Sequence, residues 1–344
     1  MRILYLSCHS ILEYEELILF KELGYEVFSP GAYWHPEEGD GSRPGIPGLT
    51  YKQEWIDSYN KIGQEFPGQE GKAHLSRDLV DQFDVIICMH MPEWIESNWE
   101  VIKHKRVIWR TIGQSVASTE LSMQRFINEG LQVVRYSPQE VNIPHFAGQH
   151  GMIRFYKDPD IYTGWTGEDK SVITFCQNMQ QRGTSCGYQI FDQATKPFPR
   201  KLFGPGNEQP VFGQGKVSFE EQLAQLKKNR VFLYTGTHPA SYTLGFMEAW
   251  MTGIPVVSVG ARHGNANHLR NHDLFEVHKL IQNGVSGFVS DTIEGLQVYI
   301  RKLLTCDGLA QEISFAGQRA ARRHFSKDAI KYAWKDFLEN PKTK

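Results

Sequence analysis

The stretch Tyr234 to Gly260, YTGTHPASYTLGFMEAWMTGIPVVSVG, sets a polar loop of small residues between an apolar run and a helical pattern. A loop that opens a helix presents N–H groups without intrahelical partners at the positive end of the helix dipole, and both features suit a diphosphate. The amides of Thr243, Leu244 and Gly245 stand at that point, and Glu248 follows about one turn in. Its carboxylate there can accept hydrogen bonds from a ribose diol. The same residues also read as a helix capped by Ser241 and Thr243, with Glu248 a solvated acid. Arg110 and Thr111 close another apolar run, KRVIWRT. An arginine at a strand end can stabilise departing phosphate charge but stays protonated and cannot act as a base. An ion pair with a neighbour is the other reading of Arg110. Gly113 and Gln114 form a turn able to approach a ligand closely.

Strand-like runs at RILYLS, EVFSP, DVIICMH, KRVIWRT and LQVVRYS alternate with helical patterns, which predicts a parallel α/β sheet in the N-terminal half. Between Gly31 and Gly71 the chain is rich in Gly, Pro and charge and reads as a long irregular insert. A similar stretch, FYKDPDIYTGWTGEDK, reads as a linker. A second series follows: VITFCQ, a helix after Gly183, PRKLFG, the helix SFEEQLAQLKKN, VFLYTG, the helix through GFMEAWMTG, PVVSVG and GFVS. Helices are then expected through Leu296 to Leu304 and Glu312 to Leu338. The expected domains are 1-165, 166-325 and a C-terminal helix over 326-344 returning to the first domain, with both sets of strand C-termini toward one cleft.

The 344 residues exceed a single core, and 40% hydrophobic with 22% charged residues fits a globular protein. The formal charge of -2 gives no global reason to bind nucleic acid or an anionic membrane. Five scattered cysteines, with no zinc-ribbon or redox spacing, point to a reducing, cytoplasmic setting. No signal-peptide pattern opens the sequence, and no apolar run reaches the roughly 20 residues of a membrane span. The thirteen histidines have no metal-binding spacing, so no metal is expected. Asp158 and Asp160 spell a D-x-D, but within the linker.

LGFMEAWMTGIPVVSVG resembles the GFxxxEAMAxGxPVV signature of the family-four retaining glycosyltransferases, which have the GT-B fold. In order around it, LFGPGNE with Gly204 resembles the family's xxGxGPE segment, VSFEEQLAQLKKNRVFLYTG its preceding helix and strand, and NGVSGFVSD its xGxxGxLV segment. Together the matches cover roughly Ser171 to Ser326. The resemblance implies two Rossmann-like doubly wound domains facing a central cleft, with a nucleotide-diphosphate sugar as co-substrate and no other cofactor.

By the same resemblance, CQNMQQRG matches the GRLxxxKG phosphate segment. Arg182 then takes the lysine's place on the diphosphate and Asn178 replaces the arginine. Glu248 matches the family's ribose glutamate, while Ala240 stands where its partner glutamate would be. His238, Ser241 and Tyr242 remain as polar groups for the sugar. His90 in CMHMP resembles a strand-end histidine of the family. A catalytic role and a hydrogen-bonded histidine at the sheet edge both stay open for it.

The activity implied is metal-independent transfer with retention of anomeric configuration, with Arg110, His90 and Arg182 as catalytic groups and His9, Gly113 and Gln114 on the acceptor side. The acceptor is open among a glycan, a lipid-linked sugar, a small molecule and, less favoured, modified DNA. Two alternatives share the fold. One is a sugar-nucleotide epimerase, for which Glu13, Glu15 or Glu16 would move protons. The other is a nucleotide-sugar-binding protein without catalysis.

Overall fold

Short runs of β-branched and large apolar residues, bounded by polar or glycine positions, become strands buried on both faces, as parallel sheets require. The computed structural model describes residues 1–65, 74–266 and 272–340. Its contacts divide the chain into unit 1, Met1–Phe155 with Lys331–Lys344, and unit 2, Tyr156–Ile330.

Unit 1 runs β1 (Arg2–Leu6), α1 (Ser10–Glu22), β2 (Glu26–Phe28), α2 (Gln53–Glu65), α3 (Arg77–Val80), β3 (Val85–Met89), α4 (Pro92–Ile102), β4 (Arg106–Arg110), α5 (Ala117–Asn128), β5 (Gln132–Arg135) and β6 (Gly151–Met152). Its sheet has the order β2-β1-β3-β4-β5-β6, and every pairing is parallel. Leu4, Leu6, Ile86, Val107, Trp109 and Val133 from the strands form one core with Trp94 and Trp99 of α4 and Phe126 of α5.

Unit 2 runs β7 (Asp169–Phe175), α6 (Met179–Arg182), a 3-10 turn (Gly183–Cys186), α7 (Tyr188–Thr195), β8 (Arg200–Phe203), β9 (Gly213–Gly215), α8 (Phe219–Lys228), β10 (Asn229–Tyr234) and α9 (Leu244–Thr252). It continues with β11 (Val256–Val259), α10 (Ala261–Gly264), α11 (Val277–Leu280), β12 (Phe288–Ser290), α12 (Ile293–Thr305) and α13 (Asp307–Phe325). The sheet order β12-β11-β10-β7-β8-β9 is again all parallel. Counted from β7 it is the 3-2-1-4-5-6 order of a dinucleotide-binding sheet.

The last helix, α14 (Lys327–Glu339), carries its later residues into unit 1. There Trp334 is fully buried, with its ring 5.3 Å from Phe20, and Arg106 donates to the carbonyls of Phe337 and Leu338.

Two local expectations are corrected. The Gly- and Pro-rich insert contains α2, because Trp55, Ile56, Tyr59 and Ile62 recur at helical spacing and pack on the core of unit 1. The insert's end, 66–71, lies outside the described residues. The helix expected over Glu312 to Leu338 is two helices, since Ser326 adopts an extended conformation between α13 and α14. The two short edge strands β6 and β9 went unread, being too short to show any periodicity.

Candidate functional site

In doubly wound sheets, ligands bind outside the strand C-termini where the strand order reverses. In unit 2 that point lies between β7 and β10, which pair in parallel with Ile173 opposite Phe232. The segments that follow these strands carry Asn178 and Arg182 on one side and His238 to Gly245 on the other. A Cβ on Gly245, in the first turn of α9, would lie 3.4 Å from the carbonyl oxygen of Phe175, so the start of α9 sits against the end of β7. The His238 N–H donates to Ser185 O (2.8 Å) and ties the two loops together.

The loop after β7 is built around Asn178 and Asn207. Asn178 has a left-handed backbone (φ 49°) and donates its N–H to Pro205 O at 2.8 Å. Gly206 makes room for it, since a Cβ there would fall 1.7 Å from Asn178 Oδ1. The fully buried Asn207 donates to the carbonyls of Cys176 (2.6 Å) and Gly204 (2.9 Å) and accepts from Met179 N (2.9 Å). Gly204 donates to Gly215 O at 2.7 Å. Asn207 thus binds the phosphate-type loop to the β8 loop, a role its sequence position alone did not reveal.

Arg182 is exposed and ends α6, with Nη1 3.4 Å from Gln177 O. The helix expected after Gly183 begins only at Tyr188, as α7, after the 3-10 turn. Thr243 is the N-cap of α9 but makes no side-chain cap bond, which leaves the first amides uncapped by that hydroxyl. Leu244 and Gly245 are half-buried. Ser241 and Tyr242 are buried, and the Tyr242 ring packs 5.2 Å from Phe325. Both side chains are enclosed to the same degree as Glu248.

Glu248 is not a solvated acid. It is 3% exposed, and its Oε1 accepts from Lys157 Nζ at 2.9 Å and from Tyr162 Oη at 3.2 Å. Its Oε2 accepts from Gln222 Nε2 at 2.6 Å. Gln222 lies near the N-terminus of α8, which Ser218 caps by accepting from Glu221 N. Lys157, Tyr162 and Gln222 were missed in the sequence because their link to Glu248 is entirely tertiary.

In unit 1 the strand order reverses between β1 and β3, and these strands lead into His9 and His90. His90 has φ 59° and donates its N–H to Arg110 O at 2.8 Å. Its buried Nδ1 has no hydrogen-bond partner among the described residues, and burial lowers the imidazole below its ordinary value, which favours the neutral form. His9 precedes α1, and its carbonyl accepts from Glu13 N at 2.9 Å. Gly113 has φ 85°, and a Cβ there would fall 2.3 Å from Tyr136 Oη, so only glycine allows this turn. Gln114 beside it is exposed.

Arg110 does not face solvent. It is 0% exposed, pairs through Nε with Glu16 Oε1 at 3.1 Å, donates to the carbonyl of Ile153, and lies over the rings of Phe155 and Trp334. Its expected role on a leaving phosphate is corrected, because every face of the guanidinium is taken by the interior of unit 1. Glu13 accepts from Ser29 Oγ (2.6 Å), Tyr33 N (3.1 Å) and Ala32 N (3.0 Å), and Glu16 also accepts from Tyr5. Asp158 of the D-x-D caps its own turn through Asp160 N and pairs with Lys327. Among the described residues no group of three or more His, Cys, Asp or Glu is gathered as a metal would need, and no helix is long and apolar enough to cross a membrane.

No protein-family model matches the chain, and no curated protein matches it in sequence. Solved structures do match over nearly their whole length. Sucrose-phosphate synthase from Thermosynechococcus elongatus aligns with a TM-score of 0.66 at 11% identity, covering 99% of each chain. Anabaena HepE, solved in complex with UDP and glucose, aligns with a TM-score of 0.66 at 15% identity over 98% of this chain and 99% of its own. A glycosyltransferase from Rickettsia africae gives 0.66 at 13% identity over 98% and 99%. The chain has the GT-B fold.

A GT-B chain carries one Rossmann-like sheet in each unit, and here each reversal of strand order collects residues singled out in the sequence: Asn178, Arg182, Gly204, His238 and the start of α9 in unit 2, His9 and His90 in unit 1. Arg110, Ser241, Tyr242 and Glu248 are buried.

Proposed function

We propose that this GT-B chain is a glycosyltransferase that takes a sugar from a nucleotide-diphosphate donor bound on unit 2. The observation that supports it most is the convergence of the α9 N-terminus with the Asn178 and Arg182 loop at the reversal of the second sheet. Uncapped helix amides and an exposed guanidinium suit a diphosphate, and Glu248, one turn further in, suits the ribose. Gly204 and His238 border the same edge. HepE, a structure of the same fold, was solved with UDP and glucose, which makes UDP-glucose a natural first donor to test.

In this reading unit 1 serves the acceptor through His9, Gly113 and Gln114, and His90 is its catalytic group. A neutral imidazole with a free ring nitrogen can exchange a proton or hydrogen bond with a sugar hydroxyl. Transfer proceeds with retention and without a metal: the donor phosphate takes the acceptor proton on the face it leaves, and Arg182 with the α9 amides holds the departing diphosphate. The reaction takes place in the cytoplasm. Epimerisation finds less support, because Glu13 and Glu16 are buried and engaged within unit 1.

The test is a thermal-shift screen of nucleoside diphosphates and their sugars, followed by mass analysis of donor with and without glycan, lipid-linked and small-molecule acceptors. Stabilisation by a nucleotide sugar together with acceptor-dependent release of its nucleoside diphosphate is the expected result. Conversion of the donor sugar without acceptor would establish the epimerase instead, and tight binding without turnover a binding protein.

A further inference from the structure

Glu248 is held from below by a cation that the folding of unit 2 brings to it. Lys157 is fully buried where the chain enters the unit; its N–H donates to Phe325 O at 2.9 Å, and it bridges to Ser326, where the chain leaves. From this doubly anchored position its Nζ reaches Glu248 Oε1 at 2.9 Å. The Tyr162 hydroxyl donates to the same oxygen, and the Tyr162 ring packs 6.3 Å from Phe219 at the start of α8. The two carboxylate oxygens are therefore unequal. Oε1 takes both buried donors, whereas Oε2 takes the amide of Gln222, a half-buried residue.

A buried ion pair adds little to stability compared with apolar residues of the same volume, so the fold by itself has small need of a lysine here. What the pair does provide is a carboxylate held in one orientation, with Oε1 bound by Lys157 and Tyr162 and Oε2 by Gln222. A ribose diol is a bidentate neutral donor, and it binds best to a carboxylate that is ionised and already oriented.

We propose that Lys157, assisted by Tyr162 and Gln222, is a positioning residue that keeps Glu248 ionised and turned for the donor ribose. This rests on the reading of Glu248 as the ribose ligand, so the experiment separates the two.

Calorimetric titration with UDP and with 2′-deoxy-UDP measures recognition of the ribose hydroxyl directly. The wild-type chain should prefer UDP by on the order of tenfold, the value of one charge-assisted hydrogen bond. Lys157→Met should bring that preference within about twofold, and Lys157→Arg should restore most of it, since a guanidinium keeps the charge. A merely structural lysine would lower Tm in Lys157→Met while leaving the preference intact, and that result overturns the proposal. Should Lys157→Met fail to fold, Tyr162→Phe and Gln222→Leu decide in the same assay: a reduced preference supports the positioning role, and an unchanged one in both overturns it. A wild-type chain that binds UDP and 2′-deoxy-UDP equally overturns the ribose reading of Glu248, and one that binds no nucleoside diphosphate of the screen overturns the donor site as well.

Discussion

Arg110 donates from Nε to Glu16 Oε1 across 3.1 Å, and neither side chain reaches solvent. The sequence places Arg110 at a strand end, where a catalytic arginine would serve, yet the strand's last residue points into the unit. Arg110→Ala should destabilise unit 1 by about 3–5 kcal/mol, because Glu16 is left as a buried unpaired charge. Chemical denaturation measures this. A variant as stable as the parent but devoid of turnover would return Arg110 to the reaction.

Glu140 gives a pH dependence with a definite sign. Its carboxyl is raised by burial to about 7, and among the described residues its Oε1 has no hydrogen-bond partner, while Oε2 accepts from Thr111 Oγ1 and Tyr136 N. Arg135 opposes the shift without cancelling it. The folded state therefore holds this proton more tightly than the unfolded chain. The group's contribution is full below the unfolded value near 4.5 and is lost as pH rises through about 7. The loss amounts to about 3 kcal/mol at most. Buried His90 works in the opposite direction over the same range, so the measurement is the difference between the stability curves of the parent and Glu140→Gln. That difference should favour Glu140→Gln increasingly from pH 5 to 8; parallel curves would mean that Glu140 titrates normally.

Removing the exposed guanidinium should act on phosphate alone. Arg182→Ala should weaken nucleoside diphosphate binding by about 1.5–3 kcal/mol and leave nucleoside binding nearly unchanged. Equal losses for both ligands in a titration would take Arg182 out of the donor site. Because its side chain is exposed, Tm without ligand should not change.

The Lys157–Glu248 pair makes the two obvious substitutions of the acid differ in kind. Glu248→Gln keeps shape and some hydrogen bonding, so the main defect should be weaker donor binding with a smaller loss in kcat. Glu248→Ala removes the carboxylate that pairs with the buried Lys157 ammonium and should also cost about 3–5 kcal/mol of stability. If donor affinity survives in Glu248→Gln while kcat collapses, the carboxylate acts at the transition state and not on the ribose.

Much of the architecture is legible in the amino-acid order because it rests on local periodicity. Runs such as VIICM and VFLY have no polar face, which marks them as strands covered on both sides, and the Thr-Leu-Gly opening of α9 after β10 follows from loop and helix chemistry. The meeting of the start of α9 with the end of β7 then follows from parallel strands, whose C-termini share one edge.

What only the tertiary structure decided is which polar side chains are left for solvent and ligand. Arg110 and Arg182 are the same residue type, each near a strand end, yet Glu16, Phe155 and Trp334 enclose the first while the second is exposed. Glu248 stands out in the sequence as a candidate ligand, but its partner Lys157 stands 91 positions away. Sequence spacing carries no information about such a pair, because its distance is set by how β10 and the entering segment pack, and burial then fixes the charge that the site can use.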